Sequence, residues 1–268
     1  MSVSLNKLTR FIFFVMPIIL TRHLAPAEGG SSQAQILADE NGNKFYVKFK
    51  ENAQALKVLA NEFVAGEIAK KLTLPYPESF VVELIPELAP ILPPINGNNI
   101  SVGPHFGSAM VRDVYRMPGR QLISQCSNKS DFPLIILFDL LLYNTDRCND
   151  GNYLIVSNPN GFKFFIIDHG HCFSSTWDVN SINSFVGQWS SFLPEMYETI
   201  NAHSNMELAI QKIESLDDNY FTNLVVQIPN EWLPNVDERD ALRKYLIDQR
   251  NSIRQMIELN KNKFPNWQ

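Results

Sequence analysis

The sequence predicts an α+β fold in two lobes, strands gathered in the first and helices in the second. Three observations predict it. Residues 24–50 read as a β-hairpin set between strong turn signals, with Lys44–Lys50 alternating apolar and polar side chains as a half-buried strand does. A single helical pattern follows over 54–72 and ends at Leu74-Pro75. From Asn180 onward the pattern is helical, so strands and helices are segregated along the chain rather than alternating. A length of 268 residues with 45% hydrophobic and 19% charged side chains suits one domain over 1–268, with a first lobe of about 1–117 and a second of about 118–268.

Taken in order, Glu28-Gly29-Gly30-Ser31-Ser32 reads as a flexible turn, Gln33–Ala38 as a strand, and Asn41-Gly42 as the centre of a tight turn. Lys44–Lys50 then places Phe45, Val47 and Phe49 on one face and Lys44, Tyr46, Lys48 and Lys50 on the other. Leu56, Leu59, Phe63, Ile68 and Leu72 supply the helical stripe, and Phe80–Ile85 reads as a further strand. Pro86, Pro90, Pro93, Pro94 and Pro104 with Asn96-Gly97 mark 86–104 as a long, lid-like insertion. A strand over Phe106–Tyr115 and a hinge at Pro118-Gly119 close the first lobe. Phe132–Tyr143 is almost wholly apolar but too short to span a bilayer, which predicts a buried helix. Gly151–Ser157 and Gly161–Asp168 read as a second hairpin, and Asp237–Lys261 as the last of three or four helices.

A net charge of −5 and a pI near 5.6 provide no basic footprint for nucleic acid. Cys126, Cys148 and Cys172 have neither CxxC nor zinc-ligand spacing, which fits a reducing cytoplasm. The apolar run Phe11–Leu20 after Lys7 and Arg10 imitates a secretory signal, with Ala25-Pro26-Ala27 as a cleavage-like site. Pro17 interrupts that run and Arg22 and His23 follow it, so a first strand at the edge of the small lobe is the better reading. No membrane association is expected.

Several segments carry, in order, the parts that phosphoryl transfer requires: held phosphates, metal ions to spread charge, and a carboxylate to orient the acceptor hydroxyl. Gly29, Gly30, Ser31 and Ser32 form a turn whose backbone N–H groups and hydroxyls can cradle phosphate. Lys48 sits on the strand one hairpin later, sharing its face with Lys44 and Lys50; its place in the hairpin favours it for reaching the α/β-phosphates. On the following helix Glu62 can pair with that lysine, with Glu67 as the competing carboxylate. Asp146 follows the apolar helix and suits a hydroxyl-orienting base, and Asn152 precedes a strand where its amide oxygen can ligate Mg²⁺. Asp168 stands at the end of Phe164–Ile167, a rigid mount for a metal-binding oxygen, and Gly170 lets the chain turn away.

The stretches GGSSQAQIL, KFYVKFK, LANEFVAGEIAKKLTLPYP, HFGS at His105–Ser108, NTDRCNDGNYLI and FIIDHGHCF together resemble the HipA-like kinases, in particular short bacterial ones, over about residues 20–175. The resemblance implies a protein-kinase-like fold and ATP- and Mg²⁺-dependent phosphorylation of Ser or Thr on a protein. On this sequence it makes Lys48 the ATP lysine, Glu62 its helix partner, Asp146 the catalytic Asp, and Asn152 and Asp168 the metal ligands. It also implies an autophosphorylated serine in the phosphate loop, here Ser31 or Ser32, and an antitoxin-like partner. Asp146 and Asn152 are six residues apart where the family has five, so Asn149 or Asp150 stand as substitute ligands. A small-molecule kinase and a nucleotide-binding pseudokinase are the alternative functions. Ser174-Ser175-Thr176 reads as a polar loop rather than a phosphorylated activation segment.

Overall fold

The computed structural model describes residues 16–28, 32–52, 56–115, 119–159, 161–174, 176–190, 192–200 and 203–266. Gly29, Gly30 and Ser31 of the expected phosphate turn lie outside these residues, as do Pro118 and Ser175.

The first strands are β1 (Ile18–Pro26), β2 (Gln35–Asp39) and β3 (Lys44–Lys48). The helix α1 (Lys57–Leu72) follows, then β4 (Ser79–Leu84) and β5 (His105–Ala109). These strands close into a barrel in the order β1-β2-β3-β5-β4. Closure comes from β1, which pairs antiparallel with β2 and parallel with β4, Leu20 facing Leu84. The expectation that β1 is an edge is therefore corrected: its second row of backbone groups is taken by β4, and a closed sheet has no edge. The expected strand over Phe106–Tyr115 is also shorter, ending at Ala109.

The face that alternation gives to Phe45, Val47 and Phe49 lines the barrel's interior. Leu20, Leu37, Phe45, Val47, Phe49, Val82 and Leu84 fill it, and Leu88, Ala89, Leu92, Ile95 and Ile100 of the insertion join the same cluster. The 86–104 segment is thus not a lid but a plug for one end of the barrel. Its prolines break regular structure while Leu88, Ala89, Leu92, Ile95 and Ile100 are buried and Ile91 and Val102 stay exposed, and the Asn96 N–H donates to Gln33 Oε1 at 2.8 Å. The other end opens as a cavity of about 990 Å³ lined by Ile18, Asp39, Phe45, Phe80 and Met110.

The helix α1 belongs to a second, larger core. Leu59, Phe63, Val64 and Ile68 pack with Phe106 and with the elements that follow. It stops at Thr73, which takes the left-handed conformation (φ 58°) and donates its N–H back to the last turn, beside Lys70 and Lys71. Gly66 allows α1 to approach β4, since a Cβ there would stand 2.1 Å from Ser79 Oγ.

The second half holds α2 (Phe132–Leu141), the hairpin β6 (Tyr153–Asn158) and β7 (Gly161–Ile166), then α3 (Pro194–Glu198), α4 (His203–Glu214), α5 (Asp218–Gln227) and α6 (Val236–Leu259). Asp217 and Asn235 cap α5 and α6 by accepting backbone N–H groups with their side chains. The α5–α6 region reaches back to the first half. Trp232 Nε1 donates to Pro104 O at 2.9 Å, its ring meets Phe63, and Tyr220 OH donates to Glu67 O at 3.0 Å. The helix carrying Glu62 is thereby fastened to the α5–α6 region at two points. Among the described residues, no helix is long and apolar enough to cross a membrane.

Candidate active site

Three chain segments converge at Lys48. It ends β3, and its ammonium pairs with Glu62 Oε1 and, at 2.8 Å, with Asp168 Oδ1. The lysines sharing its face go elsewhere: Lys44 is exposed, and Lys50 pairs with Glu231 while donating to Val102 O at 2.8 Å. Of the two helix carboxylates it is Glu62 that meets Lys48. Burial alone would lower the Lys48 ammonium, but Glu62 and Asp168 outweigh it and hold the group well above its ordinary value. Burial pushes the Glu62 carboxyl up, against the pull of Lys48. Asp168 is brought down to about 2, because the charge and hydrogen bond of Lys48 overcome its own desolvation.

Asp168 lies past the end of β7, two residues beyond the hairpin ladder, and adopts φ 56°. That left-handed turn leaves a side chain 38% exposed beside Lys48, while the next residue, His169, is fully buried. The His169 N–H donates to Glu62 Oε2 at 3.1 Å, so one carboxylate of α1 holds both the lysine and the segment carrying Asp168. Gly170 passes so near α1 that a Cβ would stand 2.8 Å from Val58 Cγ1.

The neighbouring Asn61 completes this fastening. Its Nδ2 donates to Gly170 O (2.9 Å) and Cys172 O (3.0 Å), and its Oδ1 accepts from Trp177 Nε1 (3.0 Å). Asn61→Ala would strand buried partners on the 170–177 segment, at about 1–3 kcal/mol for an orphaned group. Urea denaturation is expected to show a loss of roughly 2–3 kcal/mol, with faster hydrogen exchange confined to that segment.

On the loop after α2, Asp146 is half-buried and Asn152 is buried. The Asn152 amide donates to Asp146 O at 2.8 Å and to Asp146 Oδ2 at 2.7 Å. Both of its N–H groups are thus engaged, and its Oδ1 is left as a hard oxygen donor of the kind Mg²⁺ takes. The six-residue spacing is absorbed by a 3₁₀ turn over Asp150–Asn152, where Asn149 Oδ1 accepts the Gly151 N–H at 3.0 Å. Asp150 Oδ1 accepts from Tyr153 OH at 3.0 Å. The side chains of Asn149 and Asp150 therefore shape the turn, and both are exposed.

Beneath this loop lies a buried polar group that the sequence reading passed over. Asp139 and Arg147 are both fully buried and paired, Arg147 Nε to Asp139 Oδ2 at 2.8 Å. Asn144 Nδ2 donates to Asp139 Oδ1 at 2.7 Å, and Asn144 Oδ1 accepts the Asp146 N–H at 3.1 Å. The one signal for it was Asp139 itself, the lone charge within an apolar helix. Of the expected cradle, Ser32 is described and is buried.

The profile of the HipA-like kinase family matches residues 20–267. Among solved structures, the Helicobacter pylori proinflammatory kinase CtkA is similar with a TM-score of 0.63 and 14% identity, covering 91% of this chain and 100% of that one. That likeness shows a protein-kinase-like fold. The HipA of Shewanella oneidensis MR-1, solved with HipB and operator DNA, aligns with a TM-score of 0.47 and 12% identity over 88% of this chain and 67% of that one. The Golgi casein kinase with Mn/ADP bound aligns with a TM-score of 0.45 and 12% identity over 93% and 75%. No curated protein matches. Since the profile runs from β1 to the end of the last helix, the chain belongs to the HipA-like kinase family.

Proposed function

We propose that this kinase transfers the γ-phosphoryl group of ATP, with Mg²⁺, to a Ser or Thr hydroxyl of a protein, in a cleft between a barrel lobe and a helical lobe. The boundary falls near residues 117–118. The observation that carries the reading is the Lys48 ammonium held between Glu62 and Asp168. A lysine so fixed, on a barrel strand one hairpin after the Gly29–Ser32 turn, is suited to meet the α/β-phosphates. Gly29, Gly30, Ser31 and Ser32 would then cradle the phosphates.

Asn152 Oδ1 and the Asp168 carboxylate would hold Mg²⁺, both being oxygen donors as that ion requires. The metal, when bound, neutralises charge developing on the phosphates. Asp146 has the half-buried position and the tether to Asn152 that suit a carboxylate accepting the hydroxyl proton. Its loop is oriented from below through Asn144, so the base is pre-positioned before the acceptor arrives. Asp168, with its carboxyl near 2, is ionised at all ordinary pH values.

The test is transfer from [γ-³²P]ATP and Mg²⁺ to a mixed protein substrate, with phosphoamino-acid analysis of the product. Phosphoserine or phosphothreonine is expected. Label found only on small aminoglycosides, sugars or lipids would replace the protein-kinase reading. ATP binding without transfer to any acceptor would replace it with a pseudokinase.

A further inference from the structure

We propose that Arg147 is a positioning residue for the divalent metal, its guanidinium fixing the separation of the two chain segments that carry Asn152 and Asp168. This rests on the reading that those two side chains hold the ion. An arginine has five N–H groups, and here each has a partner. Nε and one Nη2 hydrogen go to Asp139 Oδ2 (2.8 Å) and Oδ1 (3.0 Å), the paired geometry that a planar fork makes with a carboxylate. The other Nη2 hydrogen meets His169 Nε2 at 2.7 Å. Nη1 donates to the carbonyl of Asn152 and to that of Ile167 at 3.3 Å.

Those acceptors explain the assignment. Asn152 carries one ligand, and Ile167 and His169 flank the other. The same Asn152 carbonyl also accepts the Ile167 N–H at 3.1 Å, so one oxygen is the meeting point of both segments. The fork is anchored on α2 through Asp139, in the middle of the larger core. His169 can accept from Arg147 only when neutral. The ring is fully buried. The ring is further wedged between Tyr76 and Phe138. A lysine at this position offers three donors from one point and cannot span the same acceptors.

A bare Arg147→Met would leave Asp139 charged and buried, which can prevent folding by itself. The informative variants are therefore Asp139→Asn/Arg147→Met, which removes both charges and keeps a partner for Asn144, and Arg147→Lys, which keeps the charge. Each is measured for thermal melting, for ADP binding without metal, for Mn²⁺ affinity with ADP present (by electron paramagnetic resonance), and for kcat and KM.

Folded variants are expected to bind metal-free ADP like the wild type. Their Mn²⁺ affinity should fall about 10–100-fold and kcat by a similar factor, with the KM for the protein acceptor unchanged. A purely structural role would lower melting and leave the Mn²⁺ affinity of the folded fraction intact; that result in either variant overturns the proposal. A wild type that binds no Mn²⁺ with ADP refutes the metal reading beneath it, and this appears before any variant is made.

Discussion

Asp146→Asn is expected to slow phosphoryl transfer about 10³-fold while leaving the protein folded, because a positioned carboxylate base contributes roughly 10²–10⁴ to such reactions. The substitution removes the negative charge and the capacity to accept a proton. It keeps a side-chain oxygen to receive the Asn152 amide, which now reaches Asp146 Oδ2 at 2.7 Å. The loop also retains its backbone links, Asn149 N–H to Asp146 O at 3.1 Å and Asp146 N–H to Asn144 Oδ1 at 3.1 Å. The loss should therefore fall on kcat, with the KM for ATP little changed. Single-turnover ³²P transfer measured beside a thermal melt checks this. A variant that is folded and transfers phosphate at the wild-type rate would remove Asp146 from the mechanism.

Lys48→Ala is expected to cost both activity and stability, and the second effect separates it from Asp146. Glu62 is almost fully buried, and Lys48 is its ionic partner. Deleting one side of a buried pair leaves an uncompensated charge, at about 3–5 kcal/mol. The carboxyl can relieve part of this by taking up a proton, since burial already drives its pKa upward. Asp168 is affected differently. With more of its side chain in solvent, it loses the ammonium that holds its pKa near 2 and relaxes toward the ordinary carboxylate range. Urea denaturation at neutral pH should show the loss, and Lys48→Met/Glu62→Gln should recover a large part of it without restoring transfer. A Lys48→Ala protein as stable as the wild type would mean that Glu62 finds another partner in the folded state.

The convergence of Lys48, Glu62 and Asp168 was legible in the sequence because each sits at a place that periodicity narrows. The alternation of KFYVKFK narrows the lysine to Lys44, Lys48 or Lys50 and its place in the hairpin favours Lys48, the helix soon after offers Glu62 or Glu67, and the end of an apolar strand marks Asp168. The order of strands and helices was legible for the same reason. Barrel closure was not, because it depends on β1 meeting β4 more than 60 residues away, and no local pattern encodes a parallel pairing. The insertion was misread as a lid because prolines and asparagines dominate it. Leu88, Leu92, Ile95 and Ile100, which seal the barrel, follow no regular period. The left-handed turn at Asp168 has no signature in a residue that is not glycine. Asp139, Arg147, Asn61 and His169 escaped because their partners are mostly backbone carbonyls and each other, contacts that exist only once three distant segments have packed.

The central claim is that Lys48 and Asp168 belong to one Mg²⁺·ATP site. Calorimetric titration of ATP into the wild type, Lys48→Ala and Asp168→Asn, each with and without Mg²⁺, tests it most directly. The account predicts that Mg²⁺ tightens ATP binding to the wild type, that Lys48→Ala weakens binding with or without metal, and that Asp168→Asn abolishes only the tightening by Mg²⁺. ATP affinity that is indifferent to Mg²⁺ and to both substitutions would contradict it.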